Sequence, residues 1–128
     1  RSCRSEAMTR QRDQRGAVTA ETAVVLPLLA VIALGLAWLV SLGISQARAV
    51  DAAREVARVV ARGDTNGEAV SWGHRIAPDG GRFRIREGRD TVVVTVTAEV
   101  RGPGGILGFL PGFPIRAEAV AATEDVGR

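Results

Sequence analysis

Residues 16–47, GAVTAETAVVLPLLAVIALGLAWLVSLGISQA, decide the architecture of this 128-residue chain. From Thr22 to Ala47 no Asp, Glu, Lys, Arg or His interrupts the run, which exceeds the roughly 18–20 apolar residues that a helix needs to cross a bilayer. One carboxylate, Glu21, stands at its mouth. A charge at the edge of a hydrocarbon segment costs free energy, so a residue kept there points to a partner or a use. Pro27 lies inside the run, where it removes a backbone donor and is expected to kink the helix, a disturbance that membrane helices tolerate.

Upstream, residues 1–16 form a polar leader with Arg1, Arg4, Arg10, Arg12 and Arg15 against Glu6 and Asp13. Basic residues before a first apolar helix favour holding that end in the cytoplasm and sending the rest across. The other flank carries Arg48, Arg54, Arg58 and Arg62, so the bias toward N-in and C-out is modest. Met8, the one methionine, is a candidate start.

Downstream, QARAVDAAREVARVVARGD continues the helical pattern. At about 100° per residue, Val50, Ala53, Val56, Ala57, Val60 and Ala61 fall on one side, with Asp51, Arg54, Glu55, Arg58 and Arg62 opposite. Asp51 with Arg54, and Glu55 with Arg58, are i, i+3 pairs that add a few tenths of a kcal/mol each. Gly63 follows as a C-terminal stop. The spacing therefore predicts one helix over 17–62, its membrane part about 22–46 and a projecting amphipathic part about 47–62. Its length at 1.5 Å per residue is roughly 65 Å, about twice the hydrocarbon thickness.

Residues 63–128 read as a small head. GEAVSWGHRIA is a short helix ended by Pro78 and the Gly80-Gly81 turn. Strict alternation then predicts strands near 82–87, 91–100 and 114–122. Phe83 and Ile85 lie on one side of the first, Val92, Val94, Val96, Ala98 and Val100 on one side of the second, and Ile115, Ala117, Ala119 and Ala121 on one side of the third. Such a three-stranded antiparallel meander has an apolar face that needs a cover, and the stripe of the projecting helix is the candidate. The fold class is thus α+β. The connection GPGGILGFLPGFP carries Ile106, Leu107, Phe109, Leu110 and Phe113, too apolar for a fully solvated loop. These side chains either fold back over the sheet or contact a neighbouring subunit or the membrane surface.

Composition excludes several classes. All seventeen basic residues are Arg, Tyr is absent and the formal net charge is +3. The arginines are scattered among acids, which fits a GC-rich genome better than phosphate recognition, and nucleic acid is not an expected partner. The alternating Arg82, Arg84 and Arg86 read as the solvated face of a strand. Cys3 is the one cysteine, so no intramolecular disulfide forms. His74 is the one histidine and lacks a second ligand or a nucleophile beside it. GPGG and DGG lack the strand, helix and Lys of a phosphate loop. No enzyme activity, cofactor or metal is expected.

Three readings of the N-terminal third compete. A secretory signal cut at Ala47-Arg48-Ala49 fits poorly, because the apolar run is too long and Arg48 sits inside the site. An uncleaved anchor leaves Glu21 as a first-turn carboxylate favoured by the helix dipole. The third takes residues 16–21, G-A-V-T-A-E, as a prepilin processing site behind a basic leader.

Here the sequence resembles the TadE and TadG-like family of the tight-adherence (Flp-type) pilus systems. Gly16, Glu21 and Leu26-Pro27-Leu28-Leu29 match its opening pattern, and Ala52-Ala53-Arg54-Glu55 its helix continuation. The stretch VDAAREVARVVARGD looks particularly like actinobacterial members. The resemblance implies a prepilin peptidase, an aspartyl protease, cutting after Gly16 to leave Ala17 as the mature N-terminus. It also implies that Glu21 pairs with the free amine of a neighbouring subunit. Major Flp pilins are much shorter than a chain with residues 63–128, which points to a minor pilin or pseudopilin. The implied partners are the peptidase, other pilin or TadE/TadG-like subunits, pilus assembly membrane proteins and membrane lipid. The implied location is the cell membrane, single-pass, with the head outside the cytoplasm. The alternative is a membrane-anchored envelope binding module that does not polymerise.

Overall fold

The structure, a computed structural model, describes residues 3–102, 108 and 111–123, with side chains from Glu21 onward. In chain order the elements are α1 (Cys3–Ala61), α2 (Asn66–Ile76), β1 (Arg82–Glu87), β2 (Thr91–Val100) and β3 (Phe113–Ala122). The chain divides into two compact units, Arg1–Ala37 and Trp38–Arg128.

The first unit is helical. Its helix begins at Cys3 rather than near residue 17. Arg and Gln are good helix formers, and a glycine inside a helix costs only about 1 kcal/mol, so neither the leader nor Gly16 breaks the run. Val24, Leu26, Leu28, Leu29, Val31, Ile32 and Leu34 are all exposed. A helix apolar on every side needs a nonaqueous surround, and the segment Glu21–Ala61 contains a stretch long and apolar enough to cross a membrane.

The second unit is an α+β head. Its sheet has the order β1-β2-β3 and both pairings are antiparallel. β1 and β2 occupy the predicted residues, and β3 starts at Phe113, one residue earlier than expected. The register sets Phe83 opposite Val96 and Ile85 opposite Val94; across the other seam Val96 meets Ala117 and Ala98 meets Ile115. These side chains share one face.

The expected cover is present. Ala53, Val56, Ala57, Val60 and Ala61 of α1 join Val92, Val94, Val96, Ala98, Ile115 and Ala117 in one buried cluster. Gln46 Nε2 adds a tie by donating to the Arg116 carbonyl of β3 at 3.0 Å. The buried stripe of α1 is wider than its periodicity predicts, because Ala49, Ala52 and Val59 are buried too. α2 packs against the same helix at Val56. A Cβ placed on Gly73 would lie 2.5 Å from Val56 Cγ2 and 2.8 Å from the Phe83 ring, so only hydrogen fits at this crossing. On the exposed arc, Glu55 and Arg58 form the expected ion pair. Asp51 and Arg54 do not pair among the described residues, and exposed pairs gain too little to offset the entropy of holding both side chains.

The connections follow from local chemistry. Gly63 has φ +93°, the left-handed conformation that closes α1, and its N–H donates to the Val60 carbonyl at 2.9 Å. Thr65 caps α2: its Oγ1 accepts from the Glu68 N–H at 3.4 Å and donates to Glu68 Oε2 at 2.9 Å. Thr65→Ala is therefore expected to lower stability by about 1 kcal/mol, read as a lower denaturation midpoint of the detergent-solubilised chain. An unchanged midpoint means that the cap contributes nothing. Gly80, φ +73°, turns the chain into β1.

The outer face of the sheet is polar. Arg82, Arg84 and Arg86 are exposed there, as expected of a solvated face. Thr95 is the exception, buried at the centre of that face and donating to Glu118 Oε2 at 3.3 Å.

Candidate assembly site

Glu21 lies on α1 in the first unit and is exposed. Val24, Val25 and Leu28 follow it at i+3, i+4 and i+7, on the same side of the helix. They too are exposed, Val24 at 71%. A carboxylate thus heads a continuous, exposed apolar face, the form of a seam for another helix. Pro27, one position from Leu28, takes a backbone donor out of this turn and leaves the Ala23 carbonyl without its helical partner.

The backbone of Gly16 and Ala17 is helical. A protease that reads an extended substrate must first unwind this turn. Glycine has the lowest helix propensity after proline, so unwinding costs least at that residue.

In the second unit Phe113 opens β3 and is 52% exposed. Ile106, Leu107, Phe109 and Leu110, named with it as contact candidates, lie outside the described residues. His74 sets its ring edge-on to Phe83, centroids 4.9 Å apart, and Arg75 lies 4.5 Å over the Trp72 ring. Both contacts are packing of α2. Among the described residues no group of three or more His, Cys, Asp or Glu is placed to hold a metal ion.

Gln46 and Gly73 were missed at the level of sequence. A glycine in the middle of an amphipathic helix is a signal of close packing, and GEAVSWGHRI carries it. Gln46 had no such signal, since its partner is a carbonyl 70 residues away.

The family described as TadE-like protein matches residues 16–58, from the glycine of the candidate processing site through the charged arc of α1. The apoptosis inhibitor Rv3655c of Mycobacterium tuberculosis is 37% identical over 79 residues, which is 62% of this chain and 57% of that relative. The chain thus matches little more than half of the relative's length. No solved structure matches it. TadE-like proteins are a structural, pilus-associated family, and the one long apolar helix among the described residues fits a membrane-anchored protein. The chain carries a TadE-like domain, and that domain spans residues 16–58.

Proposed function

We propose that this protein is a pilin-like subunit, a minor pilin or pseudopilin, that helps to assemble or anchor a tight-adherence pilus or a related secretion machine. The observation that carries the reading is one stretch of helix: Gly16, then Glu21, then an exposed apolar face, in a segment that matches the TadE-like family from its first glycine. In this reading a prepilin peptidase cuts between Gly16 and Ala17 on the cytoplasmic side. Residues 1–16 are the leader removed, 17–62 the working helix, and 63–128 an extracytoplasmic head. Glu21 pairs with the new amine of a neighbouring Ala17, so two charges that lipid would penalise satisfy each other. Pro27 kinks the helix and shapes the seam. Other Tad subunits, assembly membrane proteins and lipid are its surroundings, and Phe113 with the 106–110 segment is a contact for one of them.

The test is the mature N-terminus. Co-expression with the cognate prepilin peptidase, followed by mass spectrometry, is expected to show a chain beginning at Ala17. Gly16→Arg is expected to retain the leader, because a large charged side chain blocks the close approach that glycine permits. A wild-type protein that keeps residues 1–16, or begins at Ala49 instead, overturns the processing claim.

A second reading is favoured by the name of the Mycobacterium tuberculosis relative, which refers to apoptosis inhibition and not to a filament. In it the chain is a membrane-anchored envelope module whose head recruits a partner without polymerising. An uncut leader together with a surface-displayed head favours this alternative.

A further inference from the structure

The free edge of β3 has a chemistry that neither of these readings uses. Among the described residues no strand pairs with it. The Thr123 N–H donates to the Asp90 carbonyl at 2.9 Å, which turns the odd-numbered residues of this strand toward β2 and the even-numbered ones outward. Two observations agree with that parity. Gln46 reaches the Arg116 carbonyl from outside the sheet, and Pro114, which has no N–H to leave unpaired, occupies an outward position. Glu118, Val120 and Ala122 therefore present their backbone donors and acceptors to the outside.

Beside this edge runs the charged arc of α1. Arg54, Ala57, Arg58, Ala61 and Arg62 form one side of a groove of about 420 Å³, and Ala119–Ala122 of β3 form the other. The alanines keep its floor low. Arg58 is paired with Glu55, while Arg54 and Arg62 have no carboxylate partner among the described residues. Arg54, Arg58 and Arg62 recur every four residues, roughly 6 Å apart along the helix axis. Side chains on one face of an extended strand recur every two residues, roughly 6.7 Å apart. The two spacings agree to within about 1 Å per step, so a strand laid along the β3 edge brings alternate side chains past successive guanidinium groups.

We infer that Glu118–Ala122 of β3 and the Arg54, Arg58, Arg62 row form a docking groove for an extended acidic segment of a partner protein, which adds to the sheet as a fourth strand with carboxylates at alternate positions. Strand addition supplies main-chain hydrogen bonds, and alternate side chains supply specificity. A phosphate or lipid headgroup satisfies the arginines but leaves the backbone edge unread. A second copy of β3 pairs with the edge but brings Glu118 as its one carboxylate, offset by its own Arg116. An acidic strand answers both halves of the groove. This inference stands apart from the pilus reading, since it needs neither cleavage at Gly16 nor polymerisation.

The experiment uses the full chain in zwitterionic detergent and a fluorescein-labelled seven-residue peptide that alternates glutamate and valine. Fluorescence anisotropy is expected to show saturable binding, at least about tenfold weaker for the peptide with glutamine in place of glutamate. The triple variant Arg54→Gln, Arg58→Gln, Arg62→Gln is expected to lose affinity by a similar factor, and so is Val120→Pro, which removes an outward N–H. The outer-face variant Arg82→Gln, Arg84→Gln, Arg86→Gln is expected to stay within about twofold, because that face is separate from the groove. On the unmodified chain, the Val120 amide is expected to exchange its hydrogen more slowly once the peptide is bound, a readout that decides the matter if Val120→Pro does not fold. Equal binding of the glutamine peptide, an unaffected arginine triple variant, or an unprotected Val120 amide overturns the proposal. So does a dimer held through β3 that the acidic peptide fails to dissociate.

Discussion

Gly73→Val is expected to destabilise the head by about 2–3 kcal/mol, the cost of forcing a branched side chain into a filled contact. The new Cβ meets Val56, which is fully buried, and the Phe83 ring. Leaving glycine returns only about 0.5 kcal/mol of helix propensity, so the clash dominates. Unfolding of the detergent-solubilised chain, followed by Trp72 fluorescence one residue away, reads the change. Val56→Ala in the same chain is expected to recover part of the loss, since it removes the Cγ2 atom that the added Cβ strikes. Additive effects of the two substitutions are the result that breaks the argument, because residues in contact must couple.

Glu21→Val is expected to reduce cross-linking between neighbouring copies in membranes by about tenfold while leaving processing at Gly16 intact. Removing one partner of a desolvated pair leaves the other charge uncompensated, which costs roughly 3–5 kcal/mol in a fully buried setting and less near the headgroups. Glu21→Gln keeps the shape and loses the charge, so it is expected to behave like Glu21→Val. A cysteine introduced by Val24→Cys, on the same face as Glu21, provides the cross-linking probe. Cross-linking unchanged in both variants, with the leader still removed, leaves Glu21 as a first-turn carboxylate and favours the simple anchor.

Much of this architecture was legible from period alone. The 3.6-residue stripe of Val56, Ala57 and Val60 and the two-residue alternation of Val92, Val94 and Val96 each specify one face of one element, and both faces lie in the core. What periodicity does not carry is the third body. Ala49, Ala52 and Val59 are buried beyond the expected stripe, and the demand that α2 makes on Val56 and Phe83 is expressed in the missing side chain of Gly73. Thr95 illustrates the same limit: its position on the outer face predicts exposure, yet a hydrogen bond to Glu118 across the seam draws it under cover. The candidate assembly site was legible in a different sense. Gly16 and Glu21 were found by their spacing and placement, whereas the helical backbone at the 16–17 bond was not expected, because a substrate for proteolysis is pictured extended. The β3 groove left no trace in sequence, since its two walls lie some sixty residues apart.

The core of the head is built from small parts. Of the fifteen buried apolar residues among those described, eight are alanine, six are valine and Ile115 is the largest. Truncating any one of them removes few atoms, and enlarging any one has no slack to draw on. The head therefore has a lopsided tolerance: drift toward smaller residues is mild at most core positions, and drift toward larger ones is severe. A lineage carrying this fold is held to alanine by the closeness of its helices and sheet, whatever the nucleotide bias of its genome.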